Sequence, residues 1–247
     1  MKVHISNNAK ELGISAGLKA AELIKETIGQ KGFANIILAT GTSQFETIQQ
    51  LISDSEIQWD RVQMFHLDEY IGLSITHKAS FRHYLNERFI YLVPTLKMGH
   101  LINGELDPVQ ECARLGELIL QHPIDVALVG IGENGHLAFN DPPADFDTEK
   151  PYIVVDLDEA CRAQQMGEGW FETMNDVPKQ AISMSITQIM KSVHIVCSVP
   201  DERKAQAVAD CLTGSVSNLF PASILQQHAH VDLYLDASSA SLLPKNF

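Results

Sequence analysis

The sequence predicts an α/β fold: a doubly wound, mostly parallel sheet with helices on both faces. Three observations predict it. Apolar runs of strand length and branched-residue content recur at residues 35–39, 62–67, 124–129 and 193–198, and such runs suit strands buried on both faces. Helical periodicities lie between them, so strands and helices alternate along the chain. Strands run into loops rich in glycine and polar groups, as at residues 130–142, and open α/β sheets bind ligands outside the carboxyl ends of their strands. The architecture is therefore Rossmann-like. A length of 247 residues suits one large domain with a substantial core, and residues 1–247 are expected to form it.

A hydrophobic content of 45% and a charged content of 20% are ordinary for a soluble globular protein. No apolar run approaches the roughly 20 residues that a membrane span needs. The segment from Met1 to Ser6 has no signal-peptide core. A cytoplasmic protein with no membrane partner is expected. The net charge of −13 argues against a nucleic-acid partner, because phosphate contacts need clustered Lys and Arg. It also requires a local positive site for any anionic substrate. Cys112, Cys161, Cys197 and Cys211 form no C-x-x-C pair and read as free thiols, Cys197 as core packing. Zinc-type spacing is missing, as is an H-x-x-x-H pair, so no metal is expected. A homo-oligomer is compatible with the sequence and not specified by it.

In chain order, Asn7 or Asn8 caps a helix to about residue 28, with Leu12, Ala16, Ala20, Leu23 and Ile24 at helical spacing and Gly29 and Gly32 as its stop. The strand at 35–39 ends in Thr40, Gly41, Thr42, Ser43 and Gln44, and a helix follows to about residue 52. A strand, a short hydroxyl-rich loop and a helix N-terminus together suit an anion. The loop is neither a Walker A nor a G-x-G-x-x-G, so no nucleotide is implied; a capped βα turn is the other reading. The strand at 62–67 delivers Asp68, Glu69 and Tyr70, and a carboxylate there can serve as a base if its surroundings tune its pKa. Helices are predicted over 80–89 and 107–120.

The strand at 124–129 enters Gly130, Gly132 and Gly135, with Asn134, His136 and Asp141 in the same turn. That stretch reads as a ligand-presenting loop or as a glycine-rich turn with a solvated His. Next come a strand at 152–155, a helix at 158–166 broken at Gly167 and Gly169, and an alternating strand at 181–185. Thr187 is read as the cap of a short helix, and a strand at 193–198 follows. Pro200 and Asp201 open a helix to about residue 212, with Lys204 in its first turn and Gly214 as its stop. A Lys there opposes the helix dipole, which leaves a ligand role and a surface lysine both open. Pro221 starts another helix, and 231–235 is the last strand.

Asp68-Glu69-Tyr70 followed by Gly72-Leu73 fits D-E-Y-x-G-L, and residues 130–142 fit G-x-G-x-x-G-H-x-x-F-N-E-P with Asp141 at the Glu. Lys204-Ala205 lies ten residues before Gly214, and residues 177–182 fit V-P-x-x-A-[LI]. Phe220-Pro221-Ala222-Ser223 follows. In this order, over nearly the whole chain, these segments resemble the glucosamine-6-phosphate deaminase (isomerase) family. The resemblance implies that glucosamine 6-phosphate and water become fructose 6-phosphate and ammonia, with no metal or organic cofactor and a small-molecule sugar phosphate as partner. It implies that Asp68 moves a proton between C2 and C1 and that His136 opens the pyranose ring. Asp141 stands at the helper Glu, and Asn134 stands where members carry Asp or Asn. Thr40, Gly41, Thr42, Ser43, Gln44 and Lys204 would hold the phosphate.

The residue types suit the chemistry. Ring opening needs a group that gives and takes a proton near neutral pH, as His does, and C2 abstraction needs a positioned carboxylate. A flanking carboxylate and amide can fix the imidazole tautomer. Three departures stand out. Asp141 is one methylene shorter than Glu. The phosphate loop is not the family's usual T-G-G-T-P. Gly167 occupies the place of a substrate-binding Arg, five residues after Arg162. These point to a divergent branch with galactosamine 6-phosphate as an alternative substrate. Residues 142–152 lack the Ser and Arg/Lys set of allosterically activated members, so no activation by N-acetylglucosamine 6-phosphate is expected. A 6-phosphogluconolactonase is the nearest rival, though it would be expected to carry Arg where Tyr70 stands. A non-catalytic sugar-phosphate sensor is the second.

Overall fold

The computed structural model describes residues 1–244. The chain runs β1 (Lys2–Ser6), α1 (Ala9–Lys31), β2 (Ala34–Leu38), α2 (Phe45–Ser53), β3 (Val62–His66), β4 (Asp68–Tyr70), α3 (Phe81–Arg88), β5 (Met98–His100) and α4 (Pro108–Gln121). It continues through β6 (Val126–Val129), β7 (Tyr152–Asp156), α5 (Glu159–Gly167), β8 (Gln180–Met184), α6 (Ile186–Met190), β9 (His194–Val199), α7 (Ala205–Thr213) and β10 (Val231–Asp236). Seven strands pair in the order β1-β10-β9-β6-β2-β3-β5, parallel throughout.

Alternate residues of each central strand serve opposite cores. Ile37, Phe65, Ala127 and Cys197 face one cluster with Leu115 and Ile119 of α4 and Val208 of α7. Ile36, Leu38, Met64, Val126 and Leu128 face the other, with Leu12, Ala16 and Ile24 of α1 and Ile48 and Leu51 of α2. Each fully buried Leu or Ile here contributes about 1.5–3 kcal/mol. This is the predicted doubly wound arrangement. No helix among the described residues is long and apolar enough to cross a membrane.

The structure differs from the sequence reading at several elements. Gly29 lies inside α1, which ends at Gly32, where φ is 79° and the N–H donates to the Ile28 carbonyl. Two strands carry no apolar run and went unread: β1 and β5 are the sheet's edges, short and largely exposed, so burial imposes little pattern on them. Ser185, not Thr187, caps α6 by accepting from Gln188 N–H. Asp201 caps a 3-10 turn, Glu202–Lys204, that precedes α7, and Pro221 opens a 3-10 segment, Pro221–Gln227. The predicted strands near 152 and 181 do not enter the parallel sheet. They are β7 and β8, which join β4 in a separate antiparallel sheet ordered β4-β8-β7.

Glu69 fastens that small sheet to α3. Its buried carboxylate accepts from Ser80 Oγ at 2.7 Å and from the backbone N–H groups of Tyr70, Phe81 and Arg82 at 2.9, 3.2 and 2.9 Å. An anion against free N–H groups at a helix N-terminus is well placed. This directs Glu69 inward and leaves its neighbour Asp68 facing the site.

Candidate active site

A cavity of about 510 Å³ opens at the carboxyl ends of the parallel strands. The segments that follow β2, β6 and β9 supply Thr40 to Ser43, Gly130 to Gly132 with His136, and Lys204 to its wall, and the start of β4 supplies Asp68. Two non-glycine wall residues, Ala138 (φ 52°) and Asp201 (φ 90°), hold backbone conformations that cost on the order of 1–3 kcal/mol each.

The loop after β6 builds a hydrogen-bonded unit around His136. Its Nδ1 lies 3.0 Å from Asp141 Oδ1, and Asn134 Nδ2 donates to the same oxygen at 3.0 Å. Asn134 Oδ1 accepts from His136 N–H at 3.2 Å, and Asp158 N–H reaches the other Asp141 oxygen at 3.4 Å. The shorter Asp arm therefore reaches the imidazole. Burial alone would raise the Asp141 carboxyl, but hydrogen bonds from His136 and Asn134 outweigh it and hold the group below the usual range. An ionised Asp141 accepts a hydrogen bond from Nδ1–H, which leaves Nε2 as the ring's free acceptor. The ring lies flat against Gly132, where any Cβ would stand 2.1 Å from Nε2.

Asp68, 7% exposed, enters as the first residue of β4. Burial first, and the adjacent Glu69 second, push its carboxyl well above the ordinary range. Across the small sheet it pairs in register with Ser183 of β8. Ser183 Oγ in turn accepts from Phe139 N–H at 3.1 Å, three residues beyond His136.

At the other end, Gly41 takes φ 95° and its carbonyl accepts from Tyr84 Oη at 3.0 Å, which shapes the loop before α2. Thr40, Gly41, Thr42 and Ser43 line the cavity. Gln44 does not: its buried side chain donates to Ser43 Oγ at 3.1 Å and to the Ser198 carbonyl at 3.3 Å, bracing the loop against β9. Lys204 is 6% exposed and reaches into the cavity, with Nζ 3.6 Å from Glu133 Oε1. Burial lowers its pKa. A half-compensated buried ammonium is suited to an anionic ligand. Replacing Lys204 with alanine is expected to raise KM for a phosphorylated sugar at least about tenfold with a smaller change in kcat, as steady-state kinetics would read.

The wall formed by α5 and the residue after it carries side chains that no sequence motif marked. Gln164, Gln165 and Glu168 line the cavity. Gln164 Oε1 accepts from Glu133 N–H at 3.1 Å, its Nε2 donates to Glu168 at 2.9 Å, and Gln165 accepts from Tyr70 Oη at 2.8 Å. Gly167 is exposed and does not line the cavity. Arg162 is spent on the Met174 and Val177 carbonyls, at 2.6 and 3.1 Å. Their only sequence signal was a polar helix capped by Asp158, which looks like a solvated face.

Compared with protein-family models, the chain matches the one described as glucosamine-6-phosphate isomerases/6-phosphogluconolactonase over residues 7–234. The glucosamine-6-phosphate deaminase of Lactobacillus delbrueckii subsp. bulgaricus is 33% identical over 244 residues, 98% of this chain and 100% of that one. That of Streptococcus pyogenes serotype M1 is 37% identical over 231 residues, 93% and 96% of the two chains. Among solved structures, a monomeric glucosamine-6-phosphate deaminase matches with a TM-score of 0.87 and 34% identity over 98% of this chain and 100% of that one. The 6-phosphogluconolactonase of Trypanosoma brucei matches with a TM-score of 0.81 at 17% identity over 98% of each chain, a likeness of fold alone.

Proposed function

The chain belongs to the glucosamine-6-phosphate isomerase/6-phosphogluconolactonase family, and from that premise we propose that it converts glucosamine 6-phosphate and water to fructose 6-phosphate and ammonia. One observation carries the reading. Asp68, His136 and Lys204 line a single cavity, and Asp141 backs His136 through its Nδ1. Lactone hydrolysis has no use for a base at C2, whereas deamination by isomerisation requires one.

In this reading the phosphate lies against Lys204 and the loop Thr40 to Ser43. His136 Nε2 takes the proton of the C1 hydroxyl and gives one to the ring oxygen, which opens the sugar to its aldehyde. Asp141 holds the imidazole and stabilises its charged form, and Asn134 holds Asp141. Asp68 takes the C2 proton and returns it to C1 while one amine proton passes to O1, so the aldehyde becomes an alcohol and the C2 amine an imine. Water adds to that imine and ammonia leaves. A base whose pKa is raised by burial accepts the C2 proton more readily than an exposed carboxylate.

Galactosamine 6-phosphate is the second substrate to test, because Gln164, Gln165 and Glu168 form the wall where the resemblance leads one to look for an Arg. The experiment is ammonia release measured in parallel on the two sugar phosphates. Turnover of either supports the deaminase chemistry and names the hydroxyl tolerated. Silence on both, with sugar-phosphate binding intact, would reject the reading in favour of lactone hydrolysis or sensing. Addition of N-acetylglucosamine 6-phosphate is expected to leave the saturation curve unchanged, and a curve that sharpens or shifts would count against this.

A further inference from the structure

A ring nitrogen of His136, a carboxylate oxygen of Asp141 and the sulfur of Cys161 lie within 4.8 Å of one another. Cys161 is 1% exposed, on the first turn of α5, and the proton transfers described above give its thiol no task. The donor set is one nitrogen, one oxygen and one sulfur. Mg²⁺ and Ca²⁺ select oxygen alone, whereas Zn²⁺ takes all three types. Bonds of about 2.0–2.3 Å in a tetrahedral zinc site place neighbouring donors roughly 3.3–3.7 Å apart. His136 Nδ1 and Asp141 Oδ1, 3.0 Å apart, have to open by roughly 0.3 Å, and the sulfur has to draw in by at most roughly 1 Å.

We propose that His136, Asp141 and Cys161 form a binding site for a thiophilic divalent cation, Zn²⁺ being the best match, and that its occupation switches the enzyme off. The inhibitory consequence rests on the deaminase reading; the binding does not. The metal takes Nδ1 in place of the proton shared with Asp141. The remaining ring proton then sits on Nε2, which can no longer accept one from the sugar. The thiol proton leaves to solvent as the sulfur–metal bond forms, and no electron is transferred. The phosphate grip at Lys204 is untouched, so kcat falls while KM holds.

The test titrates the metal-free protein with Zn²⁺ and, separately, Co²⁺. One equivalent should bind, and Co²⁺ should produce the near-ultraviolet thiolate-to-metal absorption of a cysteine-ligated site. Cys161→Ser and Cys161→Ala should each raise the half-inhibitory Zn²⁺ concentration at least about tenfold relative to that variant's own metal-free rate, since losing even an outer-shell partner costs 10–100-fold. Cys112→Ser, a thiol of α4 outside the cluster, should leave zinc sensitivity unchanged. No thiolate absorption in the unmodified protein would overturn the proposal, as would undiminished zinc sensitivity in the Cys161 variants. A protein inactive on both amino sugar phosphates that still shows the Co²⁺ absorption would reject the function and keep the site.

Discussion

Replacing Asp68 with asparagine is expected to lower kcat on the amino sugar phosphate by about 10³-fold or more, while ligand affinity changes little. The amide is nearly isosteric and cannot take the C2 proton, and general-base catalysis is worth about 10²–10⁴-fold. Asp68 has no part in the phosphate grip, so the loss belongs to the transition state rather than to binding. Single-turnover kinetics alongside equilibrium binding would separate the two. Retained turnover would remove Asp68 from the reaction. The native enzyme should show a matching pH dependence. Because burial and Glu69 raise the carboxyl, its protonated, inactive form persists to higher pH than for an exposed aspartate. The acid limb of kcat/KM should therefore lie above about pH 4, activity being lost as pH falls through that limb.

Replacing Gly132 with alanine is expected to cost about 10²-fold in kcat or more. A Cβ there would stand 2.1, 2.3 and 2.4 Å from the Nε2, Cε1 and Cδ2 atoms of His136. The ring has no small way to yield, because its Nδ1 is held by Asp141 and its backbone carbonyl accepts from Gly132 N–H at 3.0 Å. A displacement near 1 Å at a catalytic group is enough for a loss of that size. Far-ultraviolet circular dichroism and thermal melting would distinguish a displaced ring from a misfolded chain. An active, folded Gly132→Ala enzyme would show that the ring is free to move.

What could be read from the sequence followed the physics of burial. The runs that became β2, β3, β6, β9 and β10 lie between two layers of side chains, so most positions had to be apolar. Edges β1 and β5 escape that demand. The alternation near residue 181 announced a strand, but the partner of a strand is set by distant segments, so its separate antiparallel sheet was hidden. The hydrogen-bonded unit of Asn134, His136 and Asp141 was legible because the three lie within one loop. Gln44 misled because its residue type suits an anion site while its side chain turns into the core. Gln164 and Glu168 were invisible for the opposite reason: a polar helix normally wets that face, and here the fold turns it toward the cavity.

The small sheet has a mechanical consequence. Asp68 is mounted on β4, and the segment beyond His136 is tied to β8 through Ser183, while β4 and β8 are themselves paired residue for residue. Asn140 adds a bond from the same segment to the Met184 carbonyl at 2.8 Å. The group proposed to move the C2 proton and the group proposed to open the ring thus share one datum line, and positional error in that line reaches both. A change confined to the interior of β8 would slow the two half-reactions together and leave their ratio as it was. A change at Asp68 or Gly132 would alter the ratio. Ring-opening and isomerisation rates measured side by side would tell a damaged frame from a damaged tool.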